Sequence, residues 1–243
     1  RILEVQQPTA LLTSPLTVDE RILHYTMGLQ APDERIAAAL EADEAETVLL
    51  SPSQETQVTR LLPAWKAAAP AVRPLVRLEG RDPYALLGAA HMLGSTVAGG
   101  VLRCRPANLV PPAGDLEDAL RLMEREALLQ NRLLLVEGLD AAPLAEKADL
   151  LSLWVENLSG GAMITAIPSG FQPRRPEWVL RLGTPTREEQ AALWQTELVL
   201  ASPMAAAPLA EAYDLPAETI RRICASVRLD ATLSAAAVVA RAE

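Results

Sequence analysis

The chain has 243 residues, of which half are hydrophobic but only 3% aromatic, and it carries a formal net charge of −9. That balance excludes a broad nucleic-acid footprint, which needs clustered Lys and Arg, and only two lysines occur, Lys66 and Lys147. No apolar run approaches the ~18 residues of a membrane span and no signal peptide opens the chain, so the expectation is a cytoplasmic protein without a membrane partner.

Residues 1–72 read as a helical N-terminal segment. Thr17-Val18-Asp19-Glu20 fits a capping box, Ile22, Leu23, Tyr25 and Met27 follow, and Gly28 is the expected stop. Pro32 suits the first turn of a second helix carrying Ile36, Ala39 and Leu40. Ser51-Pro52-Ser53 marks a loop, and residues 61–69 a further short helix. His24 and His91 lie far apart with no ligand spacing around either.

Residues 73–183 switch to short β-rich runs alternating with helices. Five strands are expected: 75–78, 101–104, 133–136, 163–167 and 178–182. Gly99-Gly100 and Gly160-Gly161 precede two of them as turn signals. Asp115 is placed to cap a helix whose stripe is Leu116, Leu120, Met123 and Ala127, with Arg121, Glu124, Arg125 and Glu126 read as its solvated face. Strands alternating with helices predict an α/β fold with a parallel sheet covered on both faces. Cys104 and Cys224 form no ligand or CxxC spacing and read as buried, reduced thiols. Pro173-Arg174-Arg175-Pro176 reads as a surface loop, and Ser169-Gly170 lacks the flanking pattern of a hydrolase nucleophile. Residues 184–243 return to four helices, at 186–200, 204–213, 216–227 and 231–243. The last of these is apolar on more than one face, which predicts that it packs against a following module or a neighbouring subunit. The start at Arg1 and the abrupt end at Glu243 suggest a piece of a longer protein.

The stretch with chemical content is Leu75-Val76-Arg77-Leu78-Glu79-Gly80, then Arg81-Asp82-Pro83-Tyr84-Ala85-Leu86-Leu87. A strand runs into a glycine, a short loop and a helix, the frame of a phosphate-binding GxxxxGK[ST] loop with Gly80 as its first glycine. Ala85, Leu86 and Leu87 stand where Gly, Lys and Ser/Thr would be. Each charge-assisted hydrogen bond is worth about 1.5–3 kcal/mol, so losing two or three costs about 3–9 kcal/mol, roughly 10²–10⁶ in affinity. A vestigial nucleotide seat would comprise Gly80, Arg81, Asp82 and Tyr84. A second apolar strand, Leu133-Leu134-Leu135-Val136, leads into Glu137-Gly138-Leu139-Asp140, whose two acids are either a residual Mg²⁺ site or solvated carboxylates.

Over residues 73–243 the order of parts, five strands and then a helical lid, resembles an AAA+ ATPase module of the P-loop NTPase class. The resemblance implies that Glu137 takes the magnesium-side acid position of Walker B and that Gly138 replaces the catalytic glutamate. General-base assistance is worth about 10²–10⁴ in rate, so hydrolysis is not expected. The resemblance places sensor 1 at Thr165, Pro168 or Ser169, the start of the lid at Leu182-Gly183-Thr184-Pro185-Thr186, and sensor 2 at Arg221, and it offers Arg174-Arg175 as an echo of the arginine-finger region, although the flanking Pro173 and Pro176 are unlike that region. Asp19-Glu20-Arg21-Ile22 and Asp33-Glu34-Arg35-Ile36 resemble the helical segment that precedes such modules in some large bacterial ATPases. The implied sheet has strand 75–78 at its centre, flanked by strands 133–136 and 163–167. The implied function is a degenerate module that serves assembly of a larger ATPase, with no cofactor of its own and with an adjacent AAA+ module or ring neighbour as partner. The alternatives are an atypical domain that still binds ATP and Mg²⁺, and an α/β protein-interaction scaffold.

Overall fold

A computed structural model describes residues 3–5, 16–41, 50–69, 73–109, 116–142, 144–198 and 203–229. The expected helix at 231–243 and the cap at Asp115 lie outside the described residues.

The N-terminal segment is less helical than its pattern suggested. β1 (Leu3–Val5) and β2 (Leu16–Val18) form an antiparallel pair, so Thr17 lies in a strand. The cap of α1 (Glu20–Thr26) is instead Asp19, whose carboxylate accepts the Arg21 amide at 3.0 Å. The helix ends at Thr26, with Met27 as its C-cap just before Gly28. The expected helix after Pro32 is only a turn and a single 3-10 segment, Ala37–Ala39, because Asp33 folds back to accept the Arg35 amide and competes with helical bonding. β3 (Leu40–Glu41) follows. α2 (Pro52–Ala67) starts earlier than expected: Ser51 and Gln54 close a capping box, and Pro52 at the first position needs no donor.

The α/β part follows the predicted alternation. β4 (Leu75–Gly80), α3 (Pro83–Val97), β5 (Val101–Cys104), α4 (Leu116–Leu129), β6 (Leu133–Val136), α5 (Ala148–Glu156), β7 (Ala162–Ile164) and β8 (Glu177–Leu182) succeed one another. The sheet order is β3-β5-β6-β7-β4-β8, with β3 antiparallel to β5 and every other pair parallel. The fold is therefore a mixed α/β one with a mostly parallel sheet, as expected, but with six strands among the described residues rather than five. The expected neighbours of strand 75–78 need correction. β4 is interior, but it lies between β7 and β8, and the strand 133–136 is one place further out, against β5 and β7. β7 is also shorter than expected, ending at Ile164.

Successive strand residues point to opposite faces, which divides the core in two. Leu102, Cys104, Leu134, Val136, Ala162 and Ile164 face α4 and α5, together with Ile36 and Ala39. Val76, Leu78, Leu133, Leu135, Met163, Leu180 and Leu182 face α2 and α3. A third, separate cluster holds the lid: Trp194 from α6 (Arg187–Leu198), Ala206 and Ala210 from α7 (Pro203–Ala212), and Ile220, Ile223 and Cys224 from α8 (Ala217–Leu229). Cys104 and Cys224 are both free and buried, as expected. Burial pushes their thiols up to about 12 and about 11, with Glu137 and Glu197 respectively adding to the shift.

Candidate functional site

The strand-to-helix turn after β4 carries the residues that read as the frame of a phosphate loop, and its geometry is that of a closed turn. Gly80 ends the strand and α3 begins at Pro83, so only Arg81 and Asp82 lie between them. Ala85, Leu86 and Leu87 are therefore inside the helix, not in a loop. Asp82 is buried, and its carboxylate accepts the Tyr84 amide at 3.0 Å. The helix N-terminus, where free amides favour an anion, is thus served by a carboxylate of the chain itself. Leu86 is buried with only 8% exposure and packs towards the turn: a Cβ added at Gly80 would meet Leu86 Cδ2 at 3.2 Å and the Leu182 carbonyl oxygen at 2.8 Å. Glycine is required there by that close backbone approach of β8. Arg81 and Tyr84 are exposed on the rim of the turn.

At the end of β6, Glu137 is engaged by arginines. Its Oε2 accepts from Arg103 Nη2 at 3.0 Å and Nε at 3.3 Å and lies 3.4 Å from Arg105 Nε, while both arginines also pair with Glu41 on β3. The register that sets β5 beside β6 and β3 beside β5 creates this cluster. Gly138 follows with φ +71, a left-handed conformation that glycine adopts at no steric cost, so this position turns the chain. Asp140 is exposed. Among the described residues no group of three or more His, Cys, Asp or Glu is placed to hold a metal ion.

The remaining candidates are dispersed. Thr165 directly follows β7 and its amide donates to the Val136 carbonyl at 3.3 Å, whereas Pro168 is buried and Ser169 exposed. Arg221 on α8 lies 3.8 Å from Glu197 and 3.7 Å from Glu218, so its charge is balanced within the lid. Arg175, in the expected surface loop, is half-buried. Its guanidinium donates to the carbonyls of Arg73 (2.7 Å), Leu158 (2.9 Å) and Gly160 (2.7 Å), tying the start of β4 to the chain between α5 and β7. Burial, and then the neighbouring Arg73, lower its pKa. Arg174 is exposed. His24 lies 3.9 Å from Glu20 one turn back, and His91 is half-buried.

Two of the charges of α4 do not lie on the solvated face that helical spacing predicts for them. Glu126 is fully buried and accepts Arg21 Nε at 2.8 and 3.0 Å. Arg125 lies 3.0 Å from Asp19 and also contacts Asp33, and Arg35 binds the same two aspartates at 2.8 and 2.7 Å. Three carboxylates and three guanidinia thus join residues 19–35 to α4. Burial by itself would raise Asp19 and Asp33, but hydrogen bonds from Arg35 (to both) and Arg125 (to Asp19) and the arginine charges outweigh it and hold both below the usual carboxylate range. The sequence signal for this cluster was present: the tetrads Asp19–Ile22 and Asp33–Ile36 are identical, and each aspartate accepts the amide two residues on. Glu124, by contrast, is partly exposed and accepts the Ser159 amide at 2.6 Å, and Arg121 pairs with Glu117 along the helix surface.

Among known families, residues 186–242 match "Contractile injection system ATPase helical domain", which covers the lid helices and the residues after them. Solved structures to which the chain shows similarity include Rhizobiales Trip13, with 15% identity over 77% of this chain and 80% of that one and a TM-score of 0.39. They also include C. elegans PCH-2, with 12% identity over 83% of this chain and 66% of that one and a TM-score of 0.44. No protein of curated function matches by sequence. The matched residues fall in the lid part of the stretch, residues 73–243, that resembles an AAA+ ATPase module.

Proposed function

We propose that this chain is a degenerate AAA+ module that contributes assembly, and not hydrolysis, to a larger ATPase. The observation that carries the reading is the closed turn at Gly80-Arg81-Asp82. Its carboxylate caps the helix that would receive phosphate, and Leu86 packs where a phosphate loop would need space. Three further features support it. Leu86 and Leu87 supply neither the lysine charge nor the hydroxyl for magnesium. Glu137 is already neutralised by Arg103 and Arg105, and Arg221 by acids of the lid. Gly138 has no side chain to orient water.

The similarity of residues 186–242 to a contractile injection system ATPase helical domain makes such a system the setting we favour. The partner would be an adjacent catalytically competent module or a neighbouring subunit of a ring, on the cytoplasmic side. No described helix is long and apolar enough to cross a membrane. Titration calorimetry of the chain with ATP and Mg²⁺ at millimolar nucleotide tests the reading. No saturable heat is expected, and a Kd of about 10 μM or tighter overturns it.

A further inference from the structure

The connector between sheet and lid, residues 183–186, is bonded at nearly every step to helices on both sides of it. The Gly183 carbonyl accepts from Gln54 Nε2 at 2.7 Å, and Gln54 is itself buried and closes the capping box of α2. The Pro185 carbonyl accepts from Gln190 Nε2 at 2.8 Å. Gln190, equally buried, also reaches Asp214 at 2.9 Å and accepts the Leu215 amide at 3.3 Å, just before α8. The Thr186 amide donates to Glu189 Oε2 at 2.8 Å, and the Thr186 hydroxyl accepts the Glu189 amide at 3.3 Å, closing a second capping box at the start of α6.

Glu189 then does something a capping residue of one helix does not do. The same carboxylate accepts the Ser53 amide at 2.6 Å and the Ser53 hydroxyl at 2.7 Å. It therefore sits on the N-termini of α2 and α6 at once, two helices separated by 136 residues in the case of this contact. Both macrodipoles and three donors favour its ionised form, and although burial opposes ionisation these bonds hold its pKa below the usual range.

We infer that Glu189, Ser53 and Gln54 form a latch that joins the lid to α2 and holds the lid at one setting against the sheet without any bound nucleotide. Among the described residues the lid core and the sheet core are separate apolar clusters, so no shared hydrophobic packing between those residues fixes that setting. The directional bonds at the connector fix it instead. A consequence is that force applied to α2 is passed directly to the lid.

Spin labels at two exposed positions, Ser95→Cys on α3 and Ser226→Cys on α8, read the setting as a distance distribution in the full chain without nucleotide. Cys104 and Cys224 are buried with raised thiol pKa values and compete poorly for the label. A single narrow distribution is expected, and Glu189→Ala should broaden it. Amide exchange at Ser53 and Thr186 should speed up about tenfold with the lost caps, while β6 amides stay unchanged. If the alanine variant does not fold, Ser53→Ala and Glu189→Gln are read in the same way. A broad distribution in the labelled parent, or variants as narrow as the parent, overturns the latch. Because nucleotide is absent throughout, this outcome is separate from the calorimetric test above.

Discussion

At the scale of single residues the most consequential side chain is Glu126. It is fully buried, and its partner Arg21 is 4% exposed, on a helix 105 residues away in sequence. Removing one member of a buried pair leaves the other charged in a low-dielectric surrounding. Glu126→Ala is therefore expected to cost about 3–5 kcal/mol in urea denaturation, whereas Arg21→Met with Glu126→Leu together should lie much closer to the parent. If the double variant is as unstable as the single one, the pair matters for its packing and not for its charge balance. The sequence could not distinguish Glu126 from Glu124, two residues before it. Charged residues at helical spacing look alike until the helix is given a neighbour, and the neighbour here comes from the far N-terminal segment.

At the scale of elements, the turn from β4 into α3 explains why the leucines cannot simply be reversed. Leu86 is the fourth residue of a helix that begins at Pro83, behind a cap formed by Asp82. Leu86→Lys with Leu87→Ser restores the residue types of a phosphate loop but not the loop. The expected result is a chain destabilised by about 1–3 kcal/mol, through a lysine forced into a nearly closed apolar site, with no gain of ATP binding in calorimetry. Saturable binding by that variant would mean that the turn reopens readily. Gly80→Ala belongs to the same element. The added methyl would sit 2.8 Å from the Leu182 carbonyl, a backbone atom that cannot swing aside, so strain of about 1–3 kcal/mol is expected, seen as a lowered urea midpoint. The frame of this element was legible from the apolar run, the glycine and the proline. The cap is local as well, an aspartate just before a proline, but the close approach of the Leu182 carbonyl to Gly80 was not legible, because it depends on where β8 lies.

At the scale of the whole molecule, three carboxylates join elements that the sequence had assigned to different parts: Asp19 and Asp33 join the N-terminal segment to α4, and Glu189 joins α2 to the lid. All three have pKa values lowered on folding. A group with a lowered folded pKa contributes its full stability above its unfolded pKa and loses it as pH falls through the folded one. Their joint contribution should therefore be constant from pH 7 down to about pH 5 and fall away below about pH 4. Urea midpoints measured across that range check this. Asp33→Asn or Glu189→Gln should flatten the acid limb, and an unchanged limb in both variants would show that other groups carry it.

The succession of strands and helices from residue 75 to 198 followed from period and turn chemistry alone, because runs such as Leu133–Val136 bounded by polar residues have few other ways to be buried. That Leu86, Leu87 and Gly138 are neither a lysine, a hydroxyl residue nor an acid was likewise plain in the sequence, since this is a matter of residue type at a position. The order of the strands was not: the interior place of β4 was expected, but its neighbour β8 was not, because pairing between strands about 100 residues apart leaves no local trace. The pairing of Glu137 with arginines and of Arg125 with Asp19 and Asp33, the burial of Glu126, and the meeting of two helix N-termini at Glu189 were also settled only by tertiary structure. In each case the sequence supplied a charge, and its partner was decided by which distant element the fold laid beside it.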